Sequence, residues 1–447
     1  MRIQLQPQTK VFPDRVSRRN FLKTGFSTVA ALSAFPGVIF GKAGNEINLN
    51  AKYKIVPVGN AQRPIVMVWL EGGMSHIDTF SPLPGAPIEV RSPYETIQTS
   101  QVGVGISSML PLTAKHLNKM ALMRNIQISD PASNHPTSTC YMFTGSSRTV
   151  GRDVNERAVH ESFATKFAKH FGQEHLGYVA FSTQPGFRTF YPGMGHDDSL
   201  FINQTQLEFN NSGNHPYPSP LEGSVNHETR VARNELLKEL GERINSKQTD
   251  RWDGHVASAN RILNGDFSGA FDLTKVPDKT RDLYGKTSFG NAALIARRMI
   301  DAGVPFIIVN NPGWDQHTKI KDESQYSLNP GLDYKLPELD KVISALFTEL
   351  GNDAIIAVGT EFGRTPRVNK DKGRDHWTKS GFLIIGGAGI TPKVFGGIDN
   401  NGDITGNDGV FMGEFMMPTI AKAAGYEFRE DRGGALSAEP IKYHLIF

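Results

Sequence analysis

Acidic, histidine and other reactive side chains recur in this sequence shortly after apolar runs. The residues concerned are, in chain order, Glu71, Ser75, His76, Asp78, Asp315, His317, Glu361, Arg364, Asp375 and His376. Carboxylate oxygens and imidazole nitrogens without a thiolate suit zinc, manganese, magnesium or iron in a reactive site, rather than a structural zinc site. The residue types therefore predict a divalent metal centre, provided that the fold brings them together.

Four apolar runs supply the elements that would position these side chains. They span residues 64–70, 304–309, 354–358 and 382–385, and a glycine follows each run within a few residues. Continuous rather than alternating apolar residues are typical of strands buried on both faces, as in a parallel sheet covered by helices. We therefore expect four strands of one central sheet.

Two segments between these runs have the apolar spacing of amphipathic helices. Residues 288–302 are followed by Gly303, where a helix C-cap belongs, and residues 336–350 carry an apolar stripe. The alternation of strand and helix predicts a three-layer α/β/α sandwich with a mainly parallel sheet. Ligands of such sheets bind beyond the carboxyl ends of the strands, so the candidates should meet at one edge.

The first 43 residues have the layout of an export signal. Arg18 and Arg19 precede Phe-Leu-Lys and a weakly apolar stretch, an order similar to that of twin-arginine signals. This segment holds seven basic residues and one acidic residue, so its net charge is +6. Because the whole chain has a net charge of +3, residues 44–447 carry about −3. We expect export through the twin-arginine machinery to the periplasm or the medium. The mildly acidic net charge of residues 44–447 gives no electrostatic reason to expect nucleic-acid binding.

The rest of the chain is expected to form one large domain. We predict a polar linker over residues 44–62 and a domain over 63–447, with a loop and helical insert at about 183–265. No segment after the signal is long and apolar enough for a membrane span, so we expect none in the mature protein. The one cysteine, Cys140, has no intrachain partner and should be a small buried side chain.

Four blocks of the sequence resemble the signature blocks of an exported bacterial family, domain-of-unknown-function family 1501. They are residues 68–80, 313–317 (Gly-Trp-Asp-Gln-His), 361–366 (Glu-Phe-Gly-Arg-Thr-Pro) and 373–377 (Gly-Arg-Asp-His-Trp), and the resemblance covers about 63–400. That family is placed in the alkaline phosphatase and sulfatase superfamily, whose members hydrolyse phosphate or sulfate esters with one or two metal ions. The resemblance implies an alkaline phosphatase-like fold and a metal-dependent hydrolase.

The superfamily pattern also implies particular metal ligands. The matching positions in this sequence are Glu71, Asp315, His317, Glu361 and His376. Phe362 stands where the superfamily has an imidazole ligand. The metal itself is expected to be zinc, manganese or calcium.

The nucleophile of the superfamily maps onto a histidine in this chain. The superfamily has a Ser, Thr or Cys nine residues before a Thr-Gly pair, and here that position is His135. Imidazole can be a metal ligand or can itself take up a phosphoryl group. Ser133, Thr137 and Ser138 are nearby hydroxyl substitutes.

Several other candidates have two interpretations each. Arg364 can neutralise charge on a phosphate or sulfate through its planar fork, or it can bridge loops. His76 with Asp78 is expected to act as an acid or base, while Asp78 alone also fits a turn or helix cap. Asp375 is expected to orient His376 rather than to bind the metal directly.

Two functions of different class remain. The first is an exported metal-dependent hydrolase of sulfate or phosphate esters, including those of polysaccharides. The alternative is a catalytically degenerate member of the superfamily that binds a carbohydrate or a partner protein. A serine hydrolase built on Ser75 is disfavoured, because Ile77 stands where a Gly-x-Ser-x-Gly elbow needs its second glycine.

Overall fold

The computed structural model of the chain describes part of the sequence. The described residues are 53–58, 62–128, 134–144, 149–150, 157–158, 162–171, 177–183, 199–202, 235, 268–321, 331–405, 411–413 and 416–430. The expected export signal, Ser133 and most of the expected insert at 183–265 lie outside them. None of the described helices combines the length and apolar content that crossing a bilayer requires.

The described strands and helices alternate along much of the chain. The strands are β1 (Tyr53–Pro57), β2 (Ile65–Trp69), β3 (Thr96–Gln98), β4 (Gly105–Ser107), β5 (Met120–Gln127), β6 (Thr149–Val150), β7 (Arg157–Ala158), β8 (Tyr178–Ser182), β9 (Ser199–Ile202), β10 (Phe306–Asn310), β11 (Ile355–Gly359), β12 (Gly363–Arg364), β13 (His376–Trp377), β14 (Gly381–Gly386), β15 (Lys393–Phe395), β16 (Gly397–Ile398), β17 (Ile404–Thr405), β18 (Phe411–Met412) and β19 (Tyr426–Glu430). The α-helices are α1 (His135–Thr144), α2 (Phe163–Phe171), α3 (Ser268–Phe271), α4 (Asp278–Tyr284), α5 (Ser288–Asp301), α6 (Leu332–Leu350) and α7 (Met416–Ala423), with 3-10 helices at Thr113–Lys119 and Leu273–Lys275.

A nine-stranded sheet forms the centre of the described structure. Its order is β15-β5-β14-β11-β2-β10-β8-β9, and β18 also pairs with β5. Six of the eight neighbouring pairs are parallel, including β2 with both β10 and β11. The expectation of a mixed α/β protein with a mainly parallel sheet is therefore confirmed.

The fourth apolar run departs from that parallel pattern. It forms β14, which is antiparallel to both of its neighbours, β11 and β5. An antiparallel strand starts at the edge where its neighbour ends. The segment that precedes β14 therefore lies at the same edge as the carboxyl ends of β2, β10 and β11, and this segment carries His376.

Both faces of the sheet are buried, because successive side chains of a strand point in opposite directions. Val66 and Val68 belong to one apolar cluster, which also contains residues of α4, α5 and α6. Ile65 and Met67 belong to a second cluster, which contains residues of α1, α2 and α7. Cys140 of α1 is buried, as predicted. Every residue of β2, β10 and β11 is buried, which explains their continuous apolar sequences.

Element boundaries differ slightly from the predicted ones. Helix α5 is capped by Thr287, whose side chain accepts a hydrogen bond from the amide of Gly290 at 3.1 Å. Helix α6 begins at Leu332, one turn before the predicted start, and contains Pro337. Residues 53–57, expected within a polar linker, form β1 and pair with β19, and Ile55 is buried there.

Candidate metal centre

The ends of three neighbouring strands bring the candidate residues to one edge of the sheet. Glu71 follows β2, Asp315 follows β10, and Glu361 follows β11. Residue His376 lies in β13, which pairs with β12 in the register Arg364 opposite His376. The arrangement is the one expected for strands that run in parallel and end together.

Three of these side chains converge closely enough to share one ion. His135, Asp315 and His376 each offer a ligand atom, and these atoms all lie within 4.8 Å of one another. Oδ1 of Asp315 is 3.4 Å from Nε2 of His135 and 3.2 Å from Nε2 of His376. His135 comes from the first turn of α1, so a helix, a loop and a short strand build the cluster.

His317 lies against two of these side chains, Asp315 and His376. Its Nε2 is 3.0 Å from Oδ1 of Asp315 and 2.9 Å from Nε2 of His376. The side chain of His317 is 42% exposed, against 19% for those of His135 and His376. His317 therefore lies on the solvent side of the cluster.

Two further carboxylates fix which nitrogen of two imidazoles faces the cluster. Nδ1 of His135 is 2.6 Å from Oε1 of Glu361, and Nδ1 of His317 is 3.2 Å from Oδ1 of Asp375. A carboxylate beside Nδ1 favours a proton there and leaves a lone pair on Nε2, the arrangement found at carboxylate–histidine–metal sites. Both Nε2 lone pairs then face the carboxylate of Asp315.

A cation, either a proton or a metal ion, relieves this crowding of lone pairs. In the described structure Nε2 of His135 is buried and makes no hydrogen bond. Imidazole nitrogens and a carboxylate oxygen are the donors that zinc and related divalent metals take, so the residues present fit a metal ion.

The electrostatic environment also favours positive charge at the cluster. Burial alone would lower the pKa of His135, but its contacts with Asp315 and Glu361 outweigh burial and raise the pKa to about 9. Burial would raise the pKa of Asp315, but His135, His376 and Arg364 hold it well below its usual range. Negative charge that stabilises a proton on His135 stabilises a metal cation at the same place.

Arg364 is buried, and its guanidinium group holds the loop after β2 and the ligand Asp315. Nε donates to the carbonyl of Gly73 at 2.6 Å, Nη1 to the carbonyl of Arg374 at 3.2 Å, and Nη2 to Oδ1 of Asp315 at 2.5 Å. Nη2 also donates to the carbonyl of Gly72. These contacts favour the loop-bridging interpretation of Arg364, since each nitrogen already has a protein acceptor.

Backbone freedom at two glycines allows this loop to pass close to the cluster. Gly72 has φ +121° and Gly73 has φ +70°. A Cβ atom on Gly72 would lie 2.6 Å from the backbone nitrogen of Trp314. The amide of Gly72 donates to Oε1 of Glu361 at 2.8 Å, so the loop also orients that carboxylate.

Glu71 lies beside the cluster and is oriented by a neighbouring strand. It is 1% exposed, and its Oε2 accepts a hydrogen bond from Nδ2 of Asn310 at 2.5 Å. The set of donor atoms that lie within 4.8 Å of one another contains neither Glu71 nor Glu361. The structure thus brings Asp315 and His376 together with His135, and gives Glu361 a supporting contact.

His76 and Asp78 occupy different surroundings from those expected of an acid–base pair. Both are fully buried, and neither ring nitrogen of His76 has a hydrogen-bond partner among the described residues. Burial and the charges of Arg374 and Arg124 lower the pKa of His76 to about 3. This environment favours a neutral ring that packs beside Trp377.

Asp78 forms a buried ion pair that the sequence did not reveal. Its two carboxylate oxygens accept from Nε and Nη2 of Arg374 at 2.9 and 3.1 Å, and Oδ2 also accepts from the hydroxyl of Ser75 at 2.6 Å. The two residues lie 296 positions apart in the sequence, so neither segment alone signals the pair. The pair ties the loop after β2 to the loop that carries His376.

Lys335 is a second buried basic side chain that sequence reasoning missed. Its Nζ donates to the carbonyl of Pro312 at 2.6 Å and lies 4.6 Å from the ring centroid of Trp314. Trp314 itself is fully buried, and its indole nitrogen donates to Asn311 at 3.0 Å. Lys335 therefore supports the segment that carries Asp315, and Trp314 contributes packing.

The fold and the cluster define an α/β protein with a histidine–carboxylate centre at the carboxyl edge of its sheet. The chain belongs to the family described as "Protein of unknown function (DUF1501)", which matches residues 62–430. The family expected from the four sequence blocks is therefore confirmed. Among curated proteins no significant match is found.

Several solved structures are distantly similar to the chain. The C-terminal periplasmic domain of EptC from Escherichia coli, in complex with Zn, is 9% identical, covers 84% of this chain and 85% of that chain, and has a TM-score of 0.37. The lipoteichoic acid synthase LtaP from Listeria monocytogenes is 10% identical, with coverage of 86% and 76% and a TM-score of 0.34. A TAB5 alkaline phosphatase mutant with Mg bound is 9% identical, with coverage of 82% and 99% and a TM-score of 0.33. Sequence identities and TM-scores this low do not assign a function to this chain.

Proposed function

We propose that the protein is an exported, metal-dependent hydrolase of phosphate or sulfate esters. The observation that carries the proposal is the convergence of His135, Asp315 and His376, whose ligand atoms lie within 4.8 Å of one another. The lone pairs that face Asp315, and the carboxylates behind His135 and His317, support a cation at this point. A divalent ion bound there would supply Lewis-acid polarisation of an ester oxygen.

The residues of this chain divide into ligands and supports in the proposal. His135, Asp315 and His376 hold the ion, and the exposed His317 is a further donor on the side from which substrate arrives. Glu361 keeps the proton of His135 on Nδ1, so that Nε2 stays available. Arg364 fixes the carboxylate of Asp315 by donating to Oδ1 at 2.5 Å.

The donor set bears on the choice of metal. Imidazole nitrogens suit zinc and manganese, whereas calcium binds through six to eight oxygen atoms. We therefore favour zinc or manganese over calcium. The proposal also retains the finer expectations from the sequence, namely a three-layer sandwich, a helical insert at 183–265, twin-arginine export and a periplasmic or secreted location.

One observation favours the alternative of a binding scaffold without catalysis. Arg364 is fully buried and each of its nitrogens already donates to a protein group, so this guanidinium is not presented to an incoming ester anion. A metal centre with the same geometry can then hold a carbohydrate or a protein carboxylate. The two functions differ in whether the bound metal leads to turnover.

Hydrolysis of 4-nitrophenyl phosphate and 4-nitrophenyl sulfate tests the proposal directly. The purified chain is assayed with added zinc or manganese, beside His376→Ala and a control, Lys379→Ala, whose side chain is exposed on the same loop. We expect the wild type and the control to hydrolyse one of the esters. His376→Ala should lose more than about 100-fold in activity, which exceeds the loss of about 10–100-fold that follows from changing a residue behind a ligand. Bound metal without turnover of either ester would favour the scaffold.

A further inference from the structure

A groove of about 970 Å³ opens beside the metal centre. Its walls come from residues 84–96, 319–321 and 368–372. The last two segments adjoin the loops that carry the candidate ligands His317 and His376. The groove is therefore placed to hold the part of a substrate that extends beyond the ester.

The groove lining is strongly basic. Its charged residues comprise two acids, Glu95 and Asp371, and five cations, Arg91, Lys319, Lys321, Lys370 and Lys372. All five cations have exposed side chains. A local net charge of +3 contrasts with the mildly acidic charge of residues 44–447 as a whole, so the groove is a distinct positive feature of the described surface.

Backbone and side-chain hydrogen bonds hold the groove walls together. The amide of Val368 donates to the carbonyl of Glu89 at 2.8 Å, and the amide of Lys319 donates to the carbonyl of Asp371 at 3.1 Å. Nη2 of the buried Arg374 donates to the carbonyl of Val90 at 2.9 Å. Because the walls are fixed to one another, the groove is formed before any ligand binds.

The groove adjoins the metal centre through the loops that carry two of the candidate ligands. Thr318 pairs with Lys372 in an isolated bridge. Lys319 follows His317 by two residues, and Nδ2 of Asn369 donates to the carbonyl of His317 at 2.9 Å, so the segment 368–372 lies against the backbone of a candidate ligand. A ligand long enough to span both segments would present several anionic groups to the groove and one to the centre.

Resting on the proposed function, we propose that this basic groove binds a linear polysaccharide that carries several sulfate or phosphate groups, one of which reaches the metal centre. A small monoester needs only the centre, whereas repeated anionic groups match a groove of like-signed cations. Among the described lining residues, Tyr94 is the one aromatic side chain, and Nζ of Lys321 lies 5.5 Å from its ring centroid. This covered ring favours a sulfated or phosphorylated sugar over single-stranded nucleic acid, which binds by stacking its bases on aromatic faces.

Fluorescence anisotropy with labelled dextran sulfate tests the groove. The full chain is compared with a triple variant, Arg91→Gln/Lys370→Gln/Lys372→Gln, and with a control, Lys115→Gln/Lys279→Gln, which removes exposed lysines elsewhere. We expect the triple variant to bind roughly tenfold more weakly, the combined effect of three exposed charge contacts, and the control to bind like the wild type. Wild-type affinity should also fall with added salt.

The outcomes separate the groove from the metal centre. Equal binding of dextran sulfate by the triple variant and the control, or equal binding of neutral dextran by the wild type, overturns the groove proposal. Tighter binding of a single-stranded oligonucleotide of matched charge overturns the choice of polysaccharide. Metal content and hydrolysis of the small 4-nitrophenyl esters should be unchanged in the triple variant, so the proposed function stands or fails independently.

Discussion

Replacing Arg374 by methionine tests the buried link between the loop after β2 and the loop that carries His376. Arg374 and Asp78 are both fully buried, and two hydrogen bonds at 2.9 and 3.1 Å join them. Arg374→Met leaves the carboxylate of Asp78 in the interior with the hydroxyl of Ser75, and it removes the donor to the carbonyl of Val90. Breaking a buried ion pair costs about 3–5 kcal/mol, and loss of the charge-assisted hydrogen bond to the carbonyl of Val90 adds about 1.5 kcal/mol. We expect the free energy of unfolding to fall by about 5 kcal/mol.

Urea unfolding followed by circular dichroism measures this loss. The double variant Asp78→Leu/Arg374→Met removes both charges, and it should be more stable than the sum of the two single losses predicts, by about 3 kcal/mol. The control Arg91→Met changes an exposed arginine and should cost less than about 0.5 kcal/mol. A cost below about 1 kcal/mol for Arg374→Met, or strictly additive losses, would refute the buried-pair account.

Three further perturbations test other parts of the structure. Because the folded pKa of His76, about 3, lies below the unfolded value of 6.5, its contribution to stability is lost as pH falls from 6.5 towards 3. The loss is about 2 kcal/mol at pH 5. The urea midpoint of His76→Leu should therefore change less between pH 7.5 and pH 5 than that of the wild type. An equal change in both proteins would contradict the buried, neutral His76. Glu361→Gln should weaken metal affinity by about 10–100-fold in a chelator competition, and unchanged affinity would show that the contact with His135 does not orient it. Gly72→Ala places Cβ against the backbone of Trp314 and should lower the free energy of unfolding by several kcal/mol, measured by thermal unfolding. Gly103→Ala, at φ +77° with open space around it, should lower it by about 1–2 kcal/mol. Equal losses would contradict the close approach of Gly72 to Trp314.

The central strands and the edge that carries the site could be predicted from the sequence. The runs that form β2, β10 and β11 are apolar throughout because both faces of each strand are covered, and that pattern is visible without a structure. Their parallel pairing then fixes where Glu71, Asp315 and Glu361 must lie. The antiparallel direction of β14 could not be predicted, since strand direction leaves no mark on an apolar run.

The composition of the cluster was predictable only in part. His135 was placed by counting back from a Thr-Gly pair as a nucleophile position, whereas in the structure it contacts Asp315 and Glu361 from the start of α1. A local signal for that helix start exists: Asn134 accepts from the amide of Thr137 at 2.8 Å, and a proline follows His135. The Arg374–Asp78 pair was missed because the loop paths that bring distant residues together have no signature in either segment alone.

Metal content tests the central claim most directly. Elemental mass spectrometry is applied to the full chain purified without chelator and dialysed with zinc, manganese or calcium, beside Asp315→Asn, His376→Ala and the exposed control Asp353→Ala. Circular dichroism confirms that each variant is folded. We predict close to one metal ion per chain in the wild type and the control, and its loss in the other two variants. A folded wild type that stays metal-free with zinc, manganese and calcium would contradict the metal centre.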